Sequence, residues 1–209
     1  KEYQQKLKNG NSVDFDDLLI LPIKLFRNYP RVLEEYQDRY KYILIDEYQD
    51  TNEAQYIFSK LLSAKYRNIF VVGDNDQAIY AFRGANYKNI LNFEKDYPEA
   101  KTILLEENYR STKTILNAAN SVIKNNHERK DKNLWSNNAT GNKIKYKEVA
   151  NEKEEASFVG TEIKRLLSEG INEEDIAVLY RTNAQSRVIE EEMLKKNIKY
   201  RVVGSFYFY

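Results

Sequence analysis

The sequence predicts an α/β protein built on parallel sheets flanked by helices, and three observations predict it. Two short apolar runs, Tyr42-Ile43-Leu44-Ile45 and Ile69-Phe70-Val71-Val72, each end abruptly in polar residues, as central strands of a parallel sheet do. Between them lies a segment with Ala54, Ile57, Phe58, Leu61 and Leu62 on one helical face, opened by Thr51 or Asn52 as an N-cap. Strand, helix and strand in that order make a right-handed crossover, and the alternation restarts after Ser111.

The remaining elements follow in order. Lys1 to Ser12 is polar and reads as a tail. Val13 to Phe26 carries Phe15, Leu18, Leu19, Leu21, Leu25 and Phe26 at helical spacing, with Pro22 expected to interrupt it. A helix is expected from Pro30 to Arg39, another near Tyr87 to Lys95, and a strand from Lys101 to Leu105. Ser111 or Thr112 caps a helix through Ile115, Leu116, Ala119, Val122 and Ile123. After a polar stretch from His127 to Asn142 come strand Lys143–Val149, helix Glu154–Ser168 stopped by Gly170, strand Ile176–Tyr180, helix Gln185–Lys196 and strand Tyr200–Val203.

Composition removes several functions. The 209 residues carry 33 Lys and Arg against 32 Asp and Glu, a formal net charge of +1, so any nucleic-acid contact must come from a local patch. Cysteine is absent, which excludes a disulfide framework, a thiolate zinc site and a cysteine nucleophile. No run approaches the roughly 20 apolar residues that span a bilayer, and the N-terminus lacks the shape of a signal peptide. A soluble, cytoplasmic protein with no membrane partner is the expectation. The 17 Tyr and 9 Phe supply aromatic faces that serve cores first and base stacking second.

Four motifs carry chemistry. Asp46-Glu47-Tyr48-Gln49-Asp50 places two adjacent carboxylates at the tip of the first strand, where they need a cation or a hydrogen-bond network. One such Asp suffices to hold Mg²⁺, and the neighbouring Glu can orient and deprotonate a water attacking a γ-phosphate. The second strand ends in Gly73-Asp74-Asn75-Asp76-Gln77. Gln77 is an uncharged group able to bond both a phosphate oxygen and the attacking water. Tyr80, Phe82 and Arg83 follow as an aromatic and cationic cluster, and stacking on such rings contributes about 1–3 kcal/mol per base. In Glu106-Glu107-Asn108-Tyr109-Arg110-Ser111, an Arg at a seam can reach a phosphate and accelerate its transfer by roughly 10³–10⁵, while Tyr109 can stack on adenine. Arg181, Thr182 and Asn183, at the end of the Ile176–Tyr180 run, are suitable donors to backbone phosphates. Each motif alone also reads as ordinary surface: solvated turns, half-buried rings, a helix cap.

Together, in this order and spacing, they resemble the PcrA/UvrD/Rep group of superfamily 1 DNA helicases, from Asn11 to Gly204. The segment Asp46 to Thr51 resembles the second motif of that group, Gly73 to Ala85 the third, Glu106 to Thr112 the fourth, and Leu179 to Arg187 the one after it. The resemblance implies RecA-like motor domains of the P-loop NTPase type. It implies ATP and Mg²⁺ as cofactors, and single-stranded DNA and single/double-strand junctions as partners. It implies Asp46 as the Mg²⁺ ligand, Glu47 as general base, Gln77 and Arg110 at the γ-phosphate, and Tyr109 on the adenine. Tyr80, Phe82, Arg83, Arg181, Thr182 and Asn183 would line the single-strand track. Phe82 stands where the group most often has Trp, with Ala78 in place of Ser, and Ala81 also departs from the usual residue.

No Gly-x-x-x-x-Gly-Lys-Ser/Thr loop is present. The chain is therefore expected to be an internal fragment that needs other parts of its own polypeptide and has little hydrolysis alone. Its expected divisions are 1–12, the tail of a preceding subdomain; 13–105, the later part of a first motor domain; and 106–209, the earlier part of a second. Two other classes stay open: a nuclease using Asp46, Glu47, Asp74 and Asp76 around metals, and a non-catalytic single-strand-binding module. His127 and Trp135 read as structural or incidental, and Arg129, Lys130 and Lys132 as a solvated basic face that could touch DNA.

Overall fold

In a computed structural model, residues 2–127 and 129–203 are described, and the chain divides into two compact units, 1–143 and 144–209. Parts of the expected first and last segments, namely Lys1 and residues 204–209, lie outside the described residues.

The first unit opens with α1 (Glu2–Asn9) and α2 (Asp17–Asn28). Asp14 Oδ1 accepts from the Asp17 backbone N–H at 2.8 Å, satisfying one of the amides a helix start leaves without a partner. Pro22 does not interrupt α2, which runs through it. Ile23, the next residue, and Phe26, one turn beyond the proline, are buried, so packing outweighs the lost hydrogen bond. Phe26 stacks on Phe58 at 5.8 Å and meets Tyr36 at 5.4 Å, which joins α2 to α3 (Pro30–Arg39) and to α4 (Glu53–Ser63). Asn52 and Gln55 form a reciprocal capping box at the start of α4, each bond 2.9 Å.

Strands β1 (Ile43–Ile45) and β2 (Ile69–Val71) pair in parallel, Ile43 beside Ile69, Leu44 beside Phe70 and Ile45 beside Val71. The apolar runs implied burial on both faces, but Leu44 is 72% and Phe70 60% exposed. Ile43 and Ile45 turn instead towards Phe58 and Leu62 of α4, with which they line a pocket of about 420 Å³ that also reaches Asp46 and Glu47.

Beyond β2 come α5 (Lys88–Leu91) and α6 (Phe93–Asp96), two short pieces where one helix was expected. Phe93 stacks on Tyr97 at 4.8 Å and meets Tyr48 edge-on at 5.7 Å. Below them the Tyr97 and Ser63 hydroxyls are 2.7 Å apart, and Asp96 takes Tyr56 Oη at 2.6 Å and Lys60 Nζ at 2.8 Å. Helix α7 (Lys113–Ile123) buries Leu116 and leads into an irregular stretch. In that stretch Trp135 pairs with residues 106–108, donating to Glu106 O at 3.0 Å and accepting from Asn108 N at 2.8 Å.

In the second unit, α8 (Glu152–Ser168) and α9 (Ser186–Lys195) pack around buried Ile163, Met193 and Ile198, with Val159, Leu167, Ile176 and Ile189 against them. Asn151 Oδ1 caps α8 by accepting from the Lys153 and Glu154 amides. The helices approach closely at Gly160, where a Cβ would stand 2.8 Å from Lys196 Cδ.

Among the described residues the sheet has two strands. The expected strands at 101–105, 143–149, 176–180 and 200–203 do not form. An extended apolar run becomes a strand only beside a neighbour that takes up its N–H and C=O groups, and among the described residues these runs pair with no strand. The architecture is mixed: helices around a small parallel sheet.

Candidate functional site

The two loops at the carboxyl ends of β1 and β2 interlock. Val72 N donates to Ile45 O and Tyr48 N to Val72 O, both at 2.9 Å, so the ladder continues past each strand end. Glu47 then takes a left-handed conformation at φ +49°, uncommon for a residue with a side chain. Residues Tyr48–Asp50 form one 3-10 turn. Tyr48 is fully buried, and burial pushes its phenol up to about 12; that anchor leaves Asp46 and Glu47 exposed on the outer side of the turn.

Gln49, 1% exposed, joins the loops. Its Nε2 donates to Glu47 Oε2 at 2.7 Å and its Oε1 accepts from Asp74 N at 2.9 Å. Gly73 makes this approach possible, since a Cβ there would lie 2.5 Å from Gln49 Oε1 and 3.1 Å from Tyr48 N. Asp74 caps the turn Asn75–Gln77 by accepting from Asp76 N at 2.9 Å, and its Oδ2 takes Gln77 Nε2 at 2.8 Å. An unbroken line of hydrogen bonds thus runs from Glu47 through Gln49 and Asp74 to Gln77.

The same frame carries the aromatic cluster. Thr51 O accepts from Asn86 N at 2.9 Å, and Asn89 Nδ2 donates to Thr51 O and Oγ1 at 3.1 Å each. Between these anchors the turn Ala81–Arg83 stands out, Tyr80 and Phe82 tilted against each other at 5.9 Å. The Arg83 guanidinium lies 5.2 Å from the Tyr80 ring and 5.5 Å from the Phe82 ring. Phe82 is 70% exposed, a large apolar face presented to solvent beside a cation.

Arg129 and Lys132 correct the expectation of a solvated basic face. Arg129 donates from Nε to Asp76 Oδ1 at 3.1 Å and from Nη2 to Asp76 Oδ2 at 2.8 Å, and Lys132 pairs with Asp74. Only Lys130 of the three reaches outward, to Glu94. Burial alone would raise the Asp74 carboxyl, but hydrogen bonds from Lys132, Gln77 and the Asp76 N–H outweigh it and hold it below the usual range. These pairs also work against a two-metal nuclease, because Asp74 and Asp76 are already neutralised. No group of three or more His, Asp or Glu poised to hold a metal occurs among the described residues. Asp46 fits a cation that brings its own waters: it is exposed, and its Oδ1 accepts from the Glu47 N–H at 2.9 Å, with no other bond to it among the described residues.

Tyr109 and Arg110 lie on a separate exposed turn. Asn108 Oδ1 accepts from the Arg110 and Ser111 amides, and Asn138 Nδ2 donates to Tyr109 O and Ser111 O. The Tyr109 hydroxyl donates to Glu107 at 2.8 Å, which raises its pKa. Among the described residues no hydrogen bond or ion pair links this turn directly to Glu47 or Gln77. In the second unit, Arg181, Thr182 and Asn183 are exposed ahead of α9. Gln185 Oε1 accepts from the Arg181 and Thr182 amides at 3.0 and 2.9 Å, leaving the three side chains at the surface.

Sequence reading missed Gln49 and the Arg129–Lys132 clamp. Gln49 sits inside a motif whose charged neighbours draw attention first. The clamp joins residues 53 and 58 positions apart, and no local pattern signals such a pairing.

The UvrD/REP helicase N-terminal domain model matches residues 1–98, and the UvrD-like helicase C-terminal domain model matches residues 103–209. The chain is 58% identical over 207 residues to the ATP-dependent DNA helicase PcrA of Staphylococcus aureus strain Mu50, covering 99% of this chain and 28% of that protein. It is 56% identical over 209 residues to the protein of the same name from Staphylococcus epidermidis strain ATCC 12228, covering 100% of this chain and 29% of that one. The chain thus spans just over a quarter of the length of these relatives, and it belongs to the UvrD/REP helicase family.

Proposed function

We propose that this chain supplies part of the nucleotide-handling and strand-tracking machinery of an ATP-dependent DNA helicase. In this reading it belongs to a bacterial, cytoplasmic, nucleoid-associated protein that moves along single-stranded DNA and opens duplexes at single/double-strand junctions in repair or replication. The observation that carries it is the hydrogen-bonded line Glu47–Gln49–Asp74–Gln77 at the carboxyl ends of two parallel strands, the edge where open α/β sheets place ligands. The small parallel sheet represents part of a RecA-like domain, with motor segments at 13–105 and 106–209. The family-model limits at 98 and 103 favour a division near there.

Each residue then has a task. Asp46 holds Mg²⁺, which screens the phosphate charge of ATP. Glu47 accepts the proton of the attacking water, its carboxylate aimed by the Gln49 amide. Gln77 meets the γ-phosphate, exchanging its bond to Asp74 for one to a phosphate oxygen or to the water. Arg110 offsets the charge that builds as the phosphoryl group transfers, and Tyr109 packs on the adenine. Tyr80, Phe82 and Arg83 take unstacked bases and the backbone from the first unit, and Arg181, Thr182 and Asn183 donate to phosphates from the second.

The test is DNA-stimulated phosphate release by the full-length protein. Glu47→Gln is expected to lower turnover by about 10²–10⁴ while ATP affinity stays within a few-fold. Turnover close to the parent's would refute the assignment. Phe82→Ala is expected to weaken single-strand binding by about 1–3 kcal/mol, read as a shift in a fluorescence titration, and unchanged affinity would remove Phe82 from the track.

A further inference from the structure

The polar line that begins at Glu47 does not stop at Gln77. Asp74 and Asp76 stand two residues apart on one 3-10 turn, and unpaired they would repel each other and any approaching phosphate. Arg129 grips Asp76 with two parallel bonds, at 3.1 and 2.8 Å, and each of these side chains is only 9% exposed. Lys132 pairs with Asp74 and stands 3.5 Å from Asp76 Oδ2. Arg129 Nη2 also donates to Lys132 O at 3.2 Å, which locks the two cations to each other. A forked guanidinium sets the plane of a carboxylate as well as its charge. The lysine takes Asp74 Oδ1, so Oδ2 is the oxygen left for the Gln77 amide.

We propose that Arg129 and Lys132 are positioning residues for nucleotide hydrolysis. They fix the Asn75–Gln77 turn in the arrangement that presents Gln77, and through Gln49 the Glu47 carboxylate, to one reacting centre. They also cancel two negative charges that would oppose the phosphates. The segment after α7 thereby reports its own position to the hydrolytic loop: when the clamp opens, Asp74 and Asp76 become free carboxylates and the Gln77 amide loses its fixed partner. This inference rests on the reading of Glu47 and Gln77 given above.

Steady-state and single-turnover ATP hydrolysis by the full-length protein at saturating single-stranded DNA tests it, with Glu47→Gln as control. Arg129→Ala and Lys132→Gln are expected to lower kcat by about tenfold or more with KM for ATP changed less than about threefold, because misplacement of a reacting group acts on the chemical step. Arg129→Lys should recover part of the loss, since it keeps the charge and gives up the fork. Arg129→Asp combined with Asp76→Arg should likewise outperform Arg129→Asp alone. Should Arg129→Ala fail to fold, Lys132→Gln and Arg129→Lys decide: a kcat loss with an unchanged melting temperature supports the proposal. A kcat within twofold of the parent overturns it, as does a loss that only follows a lowered melting temperature. If Glu47→Gln abolishes turnover while the clamp variants match the parent, this inference alone fails. If Glu47→Gln leaves turnover intact, the reading beneath it fails and takes the clamp with it.

Discussion

Two loops of this chain have the same outline in sequence, and the structure holds them in opposite ways. Asp46 to Asp50 and Arg181 to Gln185 each follow an apolar run, each turn through a 3-10 segment and each lead towards a helix. The first is tied by partners far along the chain: Gln49 to Asp74, Thr51 to Asn86 and Asn89, and Asp74 and Asp76 on to Lys132 and Arg129. Among the described residues the second is tied locally, through Gln185 and the Ser186 hydroxyl, and its side chains are exposed. A reacting group must be fixed before substrate arrives, since a displacement of about 1 Å costs on the order of a hundredfold in rate. A phosphate contact can be arranged on binding at the expense of some side-chain entropy. In the proposed function the first loop serves the hydrolytic step and the second a moving track, and their bonding agrees with that division.

The contrast can be broken from either side. The second unit owes its order to the α8–α9 interface, so Met193→Ala should have the largest effect, about 2–5 kcal/mol of destabilisation. Hydrogen exchange should then quicken across 152–195 before it does in β1 and β2. Uniform quickening over the whole chain would count against a separate second core. Gly73→Ala should cost the first unit about 1–3 kcal/mol and slow hydrolysis by about a hundredfold, because the new methyl collides with Gln49 Oε1. A fully active, equally stable Gly73→Ala protein would show that the two loops need not touch.

Acid sharpens the same point by a smaller amount. The Asp74 carboxyl titrates below its ordinary value in the folded chain, so its contribution to stability is complete above about pH 4 and is lost as pH falls through the lowered folded value. The urea midpoint of the parent should therefore fall more steeply below pH 4 than that of Asp74→Asn, and parallel curves would remove Asp74 from the network. The smallest expected effect lies in the second loop. Arg181→Ala should leave stability within about 0.5 kcal/mol while lowering the salt dependence of single-strand binding by about one phosphate contact. A marked loss of stability would mean that this loop is held more firmly than its bonds indicate.

The outline of the site was legible in sequence because it is local. Asp46-Glu47 at a strand tip, Gln77 after Gly73-Asp74, and the Tyr80, Phe82 and Arg83 cluster are read directly from neighbouring letters, and β1, β2 and the main helices follow from periodicity. What was not legible depends on partners. Among the described residues the runs at 101–105 and 176–180 have strand composition but no adjacent strand, and Leu44 and Phe70 have core composition yet are exposed. Pro22 reads as an interruption, yet α2 runs through it, with Ile23 and Phe26 buried just beyond. Arg129 and Lys132 looked like solvated charge because their carboxylates lie more than fifty residues away.

In the proposed function the loops after β1 and β2 act as one hydrolytic device through the Gln49 amide. A double-mutant cycle on single-turnover ATP hydrolysis by the full-length protein, using Gln49→Met and Gln77→Ala, measures this directly. Either change alone is expected to remove most of the rate and the second to add little, a coupling of about 1 kcal/mol or more. Two losses that multiply independently would contradict it.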